Sequence, residues 1–158
     1  MTGFRIRQAT PADADDLARV YRSAYQENRE LGFPAKAASV EESEVEQWIR
    51  DHWVLVAVAA ADDAVLGGVR LEPTGPDRVK LSRLGVHEDW KGEGLGSDLV
   101  SRAETVVREG GYETIWLTTP GAHPYLPGFY RRRGYVETGE YPLEYRDYDE
   151  IIMEKQLE

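Results

Sequence analysis

At 158 residues, 41% of them apolar and 30% charged, the chain is long enough to bury a sizeable core and too apolar for a disordered segment. A formal net charge of −10 counts against nucleic acid as a partner and suits a cationic amine drawn in by the field. With no cysteine, no apolar run near the roughly 20 residues of a membrane span and no leader-like start, neither a disulfide nor a membrane partner is expected, and the cytoplasm is the expected compartment.

Phe4-Arg5-Ile6-Arg7 alternates apolar and polar and predicts a first strand. Thr10-Pro11-Ala12-Asp13 supplies an N-cap, a proline at the first helical position and an acid at the third, and Leu17, Val20, Tyr21, Ala24 and Tyr25 then recur at helical spacing. A helix over 11–27 follows, broken within 28–38 by Gly32-Phe33-Pro34. Ser39-Val40-Glu41-Glu42 reads as a second capping box, ahead of Val45, Trp48 and Ile49 on one helix face.

Trp53 to Ala60 is β-branched and apolar, as a buried strand is, and Val65 to Glu72 is its partner across an Asp62-Asp63 turn. Pro73-Thr74-Gly75-Pro76-Asp77 is a turn by composition, and a long strand runs from Arg78 to His87. Leu95, Leu99, Val100, Ala103, Val106 and Val107 mark a helix stopped by Gly110-Gly111. A strand over Thr114 to Thr119, a short helix over 127–133, and strands at Tyr135-Val136-Glu137 and Glu150 to Glu154 complete the chain. The order β-α-α-β-β-β-α-β-α-β-β, without repeat or linker, predicts one domain over 1–158 of the α/β (α+β) class. Its sheet is expected to be mixed, mostly antiparallel and of six to seven strands, with helices on both faces.

The stretch joining the long strand to the next helix carries the chemistry: Lys91-Gly92-Glu93-Gly94-Leu95-Gly96-Ser97. Alternating glycines at a strand-to-helix junction let backbone N–H groups approach an anion, the helix adds its positive end, and Lys91 adds a full charge. The spacing matches neither the G-x-x-x-x-G-K-[ST] mononucleotide loop nor the dinucleotide G-x-G-x-x-G, which needs glycine where Ser97 stands. This loop resembles the Q/R-x-x-G-x-G/A loop of the GNAT superfamily of N-acetyltransferases, and the element order resembles that family over nearly the whole chain.

The resemblance implies that Lys91, Gly92, Glu93, Gly94, Leu95, Gly96 and Ser97 hold the pyrophosphate of acetyl-CoA, used as co-substrate without a metal. It implies that a bulge splays the strand Leu84-Gly85-Val86 from its neighbour and opens its backbone to the pantetheine arm; Gly85 is where a bulge is expected. A freed N–H there, that of Val86, faces the thioester oxygen. Phe129-Tyr130-Arg131-Arg132-Arg133-Gly134-Tyr135 resembles the family's Y-e-k-x-G-F segment, with Tyr130 as the acid for the departing thiolate. The run Arg131 to Arg133 reads as a solvated face or a contact to the 3′-phosphate. Where the family often has asparagine this chain has His123, which can bond the cofactor arm or cap the short helix.

A base for the incoming ammonium is less sharply marked: Glu72 and Glu88 stand at strand ends, His87 has a suitable pKa, and residues 87 and 88 face opposite sides. His52, His87 and His123 lack metal-ligand spacing. The expected function is acetyl transfer to a primary amine, small molecule or peptide, by direct attack, with a homodimer left open. An acyl-CoA-binding module without catalysis is the alternative.

Overall fold

The fold is described by a computed structural model, which covers residues 3–31, 41–87, 90, 94–141 and 149–157. The elements run β1 (Phe4–Gln8), a 3-10 turn (Pro11–Asp13), α1 (Ala14–Glu30), α2 (Glu42–Asp51), β2 (Trp53–Ala59), β3 (Val65–Pro73), β4 (Arg78–Val86), α3 (Leu95–Glu109), β5 (Thr114–Pro120), α4 (Leu126–Arg131), β6 (Val136–Tyr141) and β7 (Glu150–Gln156). That is the expected order. The first helix runs three residues past the expected 27 and begins as a 3-10 turn.

Local chemistry explains the starts. The Asp13 carboxylate accepts from the Thr10 N–H at 2.8 Å and from the Arg7 guanidinium at 2.7 and 2.9 Å, tying β1 to the turn that opens α1. For α2 the cap lies two residues later than expected: Glu41 and Glu44 form the reciprocal box, with the Glu41 N–H donating to Glu44 Oε1. Ser39 and Val40 lie outside the described residues.

Seven strands form one sheet in the order β1-β2-β3-β4-β5-β7-β6, antiparallel except for the parallel β4–β5 pair. The β2 run is apolar because both its faces are covered. Leu55, Ala57 and Ala59 join the core beneath α3, with Leu95, Leu99, Ala103 and Val107. Val54, Val56 and Val58 join the core beneath α1 and α2, with Leu17, Tyr21, Val45 and Ile49.

The sheet is interrupted at one place. β4 pairs with β5 only through Arg78–Lys80 against Thr114–Trp116, while β5 continues beside β7 as far as Pro120 opposite Glu150. From Leu81 onward, among the described residues, β4 pairs with β3 alone. This is the splay expected from the resemblance, but its bulge is not at Gly85. Gly68 opposes Gly85 and Arg70 opposes Ser82, so Arg83 and Leu84 together stand opposite Val69. Arg83 takes the left-handed conformation, at φ 53°. Gly85 is glycine for another reason: a Cβ there would lie 2.9 Å from the Tyr21 ring, so its bareness lets α1 settle on the strand.

Candidate active site

The hydrogen bonding of β4 decides which of its backbone groups face the gap. The His87 N–H donates to the Leu66 carbonyl of β3 at 2.7 Å, and Val86 lies opposite Gly67. N–H groups alternate sides along an antiparallel ladder, so the Val86 N–H turns away from β3, toward the side that β5 has left. The Leu84 carbonyl is on that side too, and it accepts a 2.7 Å hydrogen bond from Tyr25 Oη of α1. Burial pushes the Tyr25 phenol up to about 12, so it stays a donor at neutral pH.

At the end of β4 the helix α3 opens on Gly94, whose φ of 82° reverses the chain and which offers no side-chain cap. The first intrahelical bond is Asp98 N–H to the Gly94 carbonyl at 3.1 Å, so the N–H groups of Leu95, Gly96 and Ser97 precede the helical ladder. Among the described residues no atom lies within 4 Å of where a Gly94 Cβ would be. Leu95 itself is buried in the core, fixing the helix end. Lys91, Gly92, Glu93 and Glu88 lie outside the described residues.

Among the described residues Arg133 is a cation at this helix end, one of the run expected to be a solvated face or a 3′-phosphate contact. Its Nε donates to Ser97 Oγ at 3.2 Å, its Nη1 donates to the Phe129 carbonyl at 2.7 Å, and its guanidinium lies 3.7 Å from the Phe129 ring centroid. Arg131, by contrast, is exposed and faces Glu137 at 3.5 Å.

Tyr130 is 6% exposed on the last turn of α4, edge-on to Phe129 and Tyr135. Burial raises its pKa well above the usual phenol value, so the phenol keeps its proton at neutral pH. The C-terminal end of α4 is anchored by a polar network. Glu104 of α3, 8% exposed, accepts from Tyr135 Oη at 3.0 Å and from Lys155 Nζ at 2.9 Å, and Lys155 also donates to the Arg133 carbonyl at 2.8 Å.

His123 caps the start of α4. It is 4% exposed, and its Nδ1 accepts from the backbone N–H groups of Tyr125 and Leu126, both at 3.3 Å, at the start of α4. Glu72 lies farther along the sheet. It pairs in register with Lys80, where β4 and β5 begin to part, and sits 3.7 Å from His52 Nε2. Six residues of strand separate Lys80 from Val86, about 20 Å. Among the described residues no cluster of three or more His, Cys, Asp or Glu is arranged to hold a metal, and no helix is long and apolar enough to cross a membrane.

Comparison with known proteins matches this architecture to a family. Residues 15–135 match the model of the acetyltransferase (GNAT) family. A curated relative, S-(2-succino)cysteine N-acetyltransferase of Bacillus subtilis (strain 168), is 29% identical over 161 residues, covering 97% of this chain and 96% of that protein. Among solved structures, an acetyltransferase of Salmonella typhimurium with its cofactor acetyl-CoA superposes with a TM-score of 0.78 at 20% identity, covering 98% of this chain and 94% of that one. The PaiA N-acetyltransferase of Thermoplasma acidophilum, in complex with coenzyme A, gives a TM-score of 0.72 at 20% identity over 98% and 99% of the two chains. The chain belongs to the GNAT acetyltransferase family. It is an N-acetyltransferase, and acetyl-CoA-dependent acetyl transfer is its general chemistry.

Proposed function

We propose that the protein moves the acetyl group of acetyl-CoA directly onto a primary amine within a ternary complex, along the unpaired edge of β4. The observation that carries this reading is the open edge itself: the Val86 N–H and the Leu84 carbonyl, the latter also bonded by Tyr25, face a gap that begins beyond Lys80 and leads to a helix end without a side-chain cap. Acetyl-CoA brings the activated thioester; the rest is the work of the chain. Gly94 to Ser97, with Lys91, Gly92 and Glu93 before them, would take the pyrophosphate on backbone N–H groups, and Arg133 adds a charge beside Ser97. Leu84, Gly85 and Val86 would hold the pantetheine arm by strand-like bonds. The Val86 N–H would stabilise charge developing on the thioester oxygen.

Tyr130 is the proposed acid for the thiolate, and its burial keeps the proton on the phenol until it is needed. His123 serves this site by holding the start of α4, with any contact to the arm secondary. An alkylammonium is neutral in only a small fraction of molecules at pH 7, which costs roughly 4.6 kcal/mol, so a proton acceptor is needed. Glu88 is the proposed base, acting directly or through water, while Glu72, beside His52 and opposite Lys80, would need a chain of waters to serve as one. With no cysteine to carry an acyl group, attack by the amine on bound acetyl-CoA is the simpler route. The curated relative, an N-acetyltransferase by name, supports nitrogen as the acceptor atom.

Release of CoA thiol across an amine panel, with both substrates varied, tests the reading. Intersecting double-reciprocal lines are expected. Parallel lines, or an acetylated protein seen by mass spectrometry without acceptor, would contradict direct transfer. Binding without turnover on any amine would leave only an acyl-CoA-binding module.

A further inference from the structure

Most charged residues of this acidic chain lie at the surface, yet two guanidiniums and an ammonium converge on the sheet face under α1 and α2. Arg70 of β3 and Arg83 of the β4 bulge both stack on Trp48 of α2, their guanidinium carbons 4.8 and 5.4 Å from its ring centroid. Tyr21 closes the group edge-on to the same indole, with ring centroids 6.0 Å apart. Lys80, on the adjacent part of β4, lies over Trp116 at 5.1 Å and Tyr141 at 5.8 Å.

What these cations lack is a counter-ion. Arg70 Nε donates to Ser82 Oγ at 3.1 Å, a neutral partner. Among the described residues no carboxylate comes within ion-pair distance of Arg70, Lys80 or Arg83. Arg83 Nε is buried and accepted by nothing. Burial lowers the pKa of Arg70 and of Lys80, and the neighbouring Arg83 adds to both shifts. A buried N–H without an acceptor costs free energy, and crowded like charges add to that cost. The left-handed backbone that holds Arg83 here is itself unfavourable for a residue with a side chain. A planar guanidinium pair on an aromatic floor is the arrangement that receives a carboxylate through paired N–H donors.

We propose that Arg70 and Arg83 bind a carboxylate of the acceptor, so that the substrate is a primary amine carrying a carboxylate, of the amino-acid class. This rests on the reading that acetyl transfer occurs at the open edge of β4, since Arg83 immediately precedes Leu84 there. The acids facing the group are Glu72 and Glu150. Among the described residues, three cations against two carboxylates leave one positive charge, which matches a monoanion better than a dianionic phosphate.

The test uses matched acceptors with rates corrected to the free amine: glycine against glycinamide, methionine against methioninamide, and β-alanine against 2-aminoethylphosphonate. The acids should exceed the amides in kcat/KM by about tenfold or more, the worth of charge-assisted hydrogen bonds. Arg83→Gln and Arg70→Gln, each checked for folding by circular dichroism, should bring the ratio near one, and Arg83→Lys should restore part of it. In parallel, calorimetry with N-acetylmethionine, which has a carboxylate and no reactive amine, should show binding to the CoA-loaded protein that both glutamine variants lose. Amides acetylated as fast as acids, a preferred phosphonate, or an acid preference kept in both variants would overturn the carboxylate site while leaving acetyl transfer standing. Binding of N-acetylmethionine with no amine acetylated would keep the site and remove the transfer reading; neither binding nor turnover would remove both.

Discussion

The two halves of β4 belong to one strand and meet different neighbours. Arg78–Lys80 is bonded to β3 on one side and β5 on the other, while Leu81–Val86, among the described residues, pairs with β3 alone. A buried backbone group needs a partner, so a half-strand with one empty side either faces water or is shaped for something that completes the pairing. The open half is also where the chain departs from regular geometry: the bulge, the left-handed Arg83 and the Tyr25 bond to the Leu84 carbonyl all lie there. The paired half fixes the sheet, and the unpaired half is left available for chemistry.

If the open half is the reacting edge and Tyr130 of α4 is its acid, that residue should matter for rate and little for folding. Tyr130→Phe should lower turnover by about 10²- to 10⁴-fold where chemistry limits the rate, with acetyl-CoA affinity and thermal midpoint nearly unchanged. A variant at full speed would reduce Tyr130 to a packing residue. Because burial raises the Tyr130 pKa, the phenol should stay protonated through pH 10. The rate should therefore climb with pH as the amine or its base loses a proton, with no falling limb from this group.

Anchoring of α4 gives the next effect. Lys155→Met leaves the Glu104 carboxylate largely buried without its cation and should cost about 3–5 kcal/mol in denaturant unfolding. A loss under 1 kcal/mol would show that water replaces the ammonium. Gly85→Ala probes the open half more gently. Its Cβ would meet the Tyr21 ring at 2.9 Å, so about 1–3 kcal/mol is expected, together with slower turnover as α1 and the Tyr25 bond shift. Unchanged turnover in the folded variant would separate α1 from the site.

The smallest effect falls far from the gap. The hydrogen bond from Arg7 first, and then that from the Thr10 N–H, holds the Asp13 carboxyl below the usual carboxylate range. Its stabilisation is present above the unfolded value near 3.9 and is lost as pH falls through the depressed folded value. Asp13→Asn should cost about 1 kcal/mol at pH 7, solvent screening of the partly exposed Arg7 included, and the difference from wild type should shrink as pH falls below the unfolded value. A penalty independent of pH would mean that packing, not charge, is at stake.

Element order was legible because it rests on local signals: periodicity in α1 and α3, the Asp13 cap, and the glycines that precede α3. What escaped depends on register. A bulge at Arg83 is invisible in a sequence where Gly85 is the residue that tolerates one, because glycine was needed there to admit Tyr21. Tyr25 reads as one more apolar position of a helix until the strand it reaches is known to be open. Arg133 reads as surface charge until α4 is seen to bring it to Ser97. The pairing of Arg70 with Arg83 needs two strands and a second helix at once.

The central claim is that acetyl-CoA completes the open half of β4, and amide hydrogen exchange with and without CoA reads that directly. CoA should slow exchange at Val86 and at Gly94 to Ser97 while leaving Arg78 to Lys80, already bonded on both sides, unchanged. Protection confined to another region, with Val86 exchanging as before, would contradict the account.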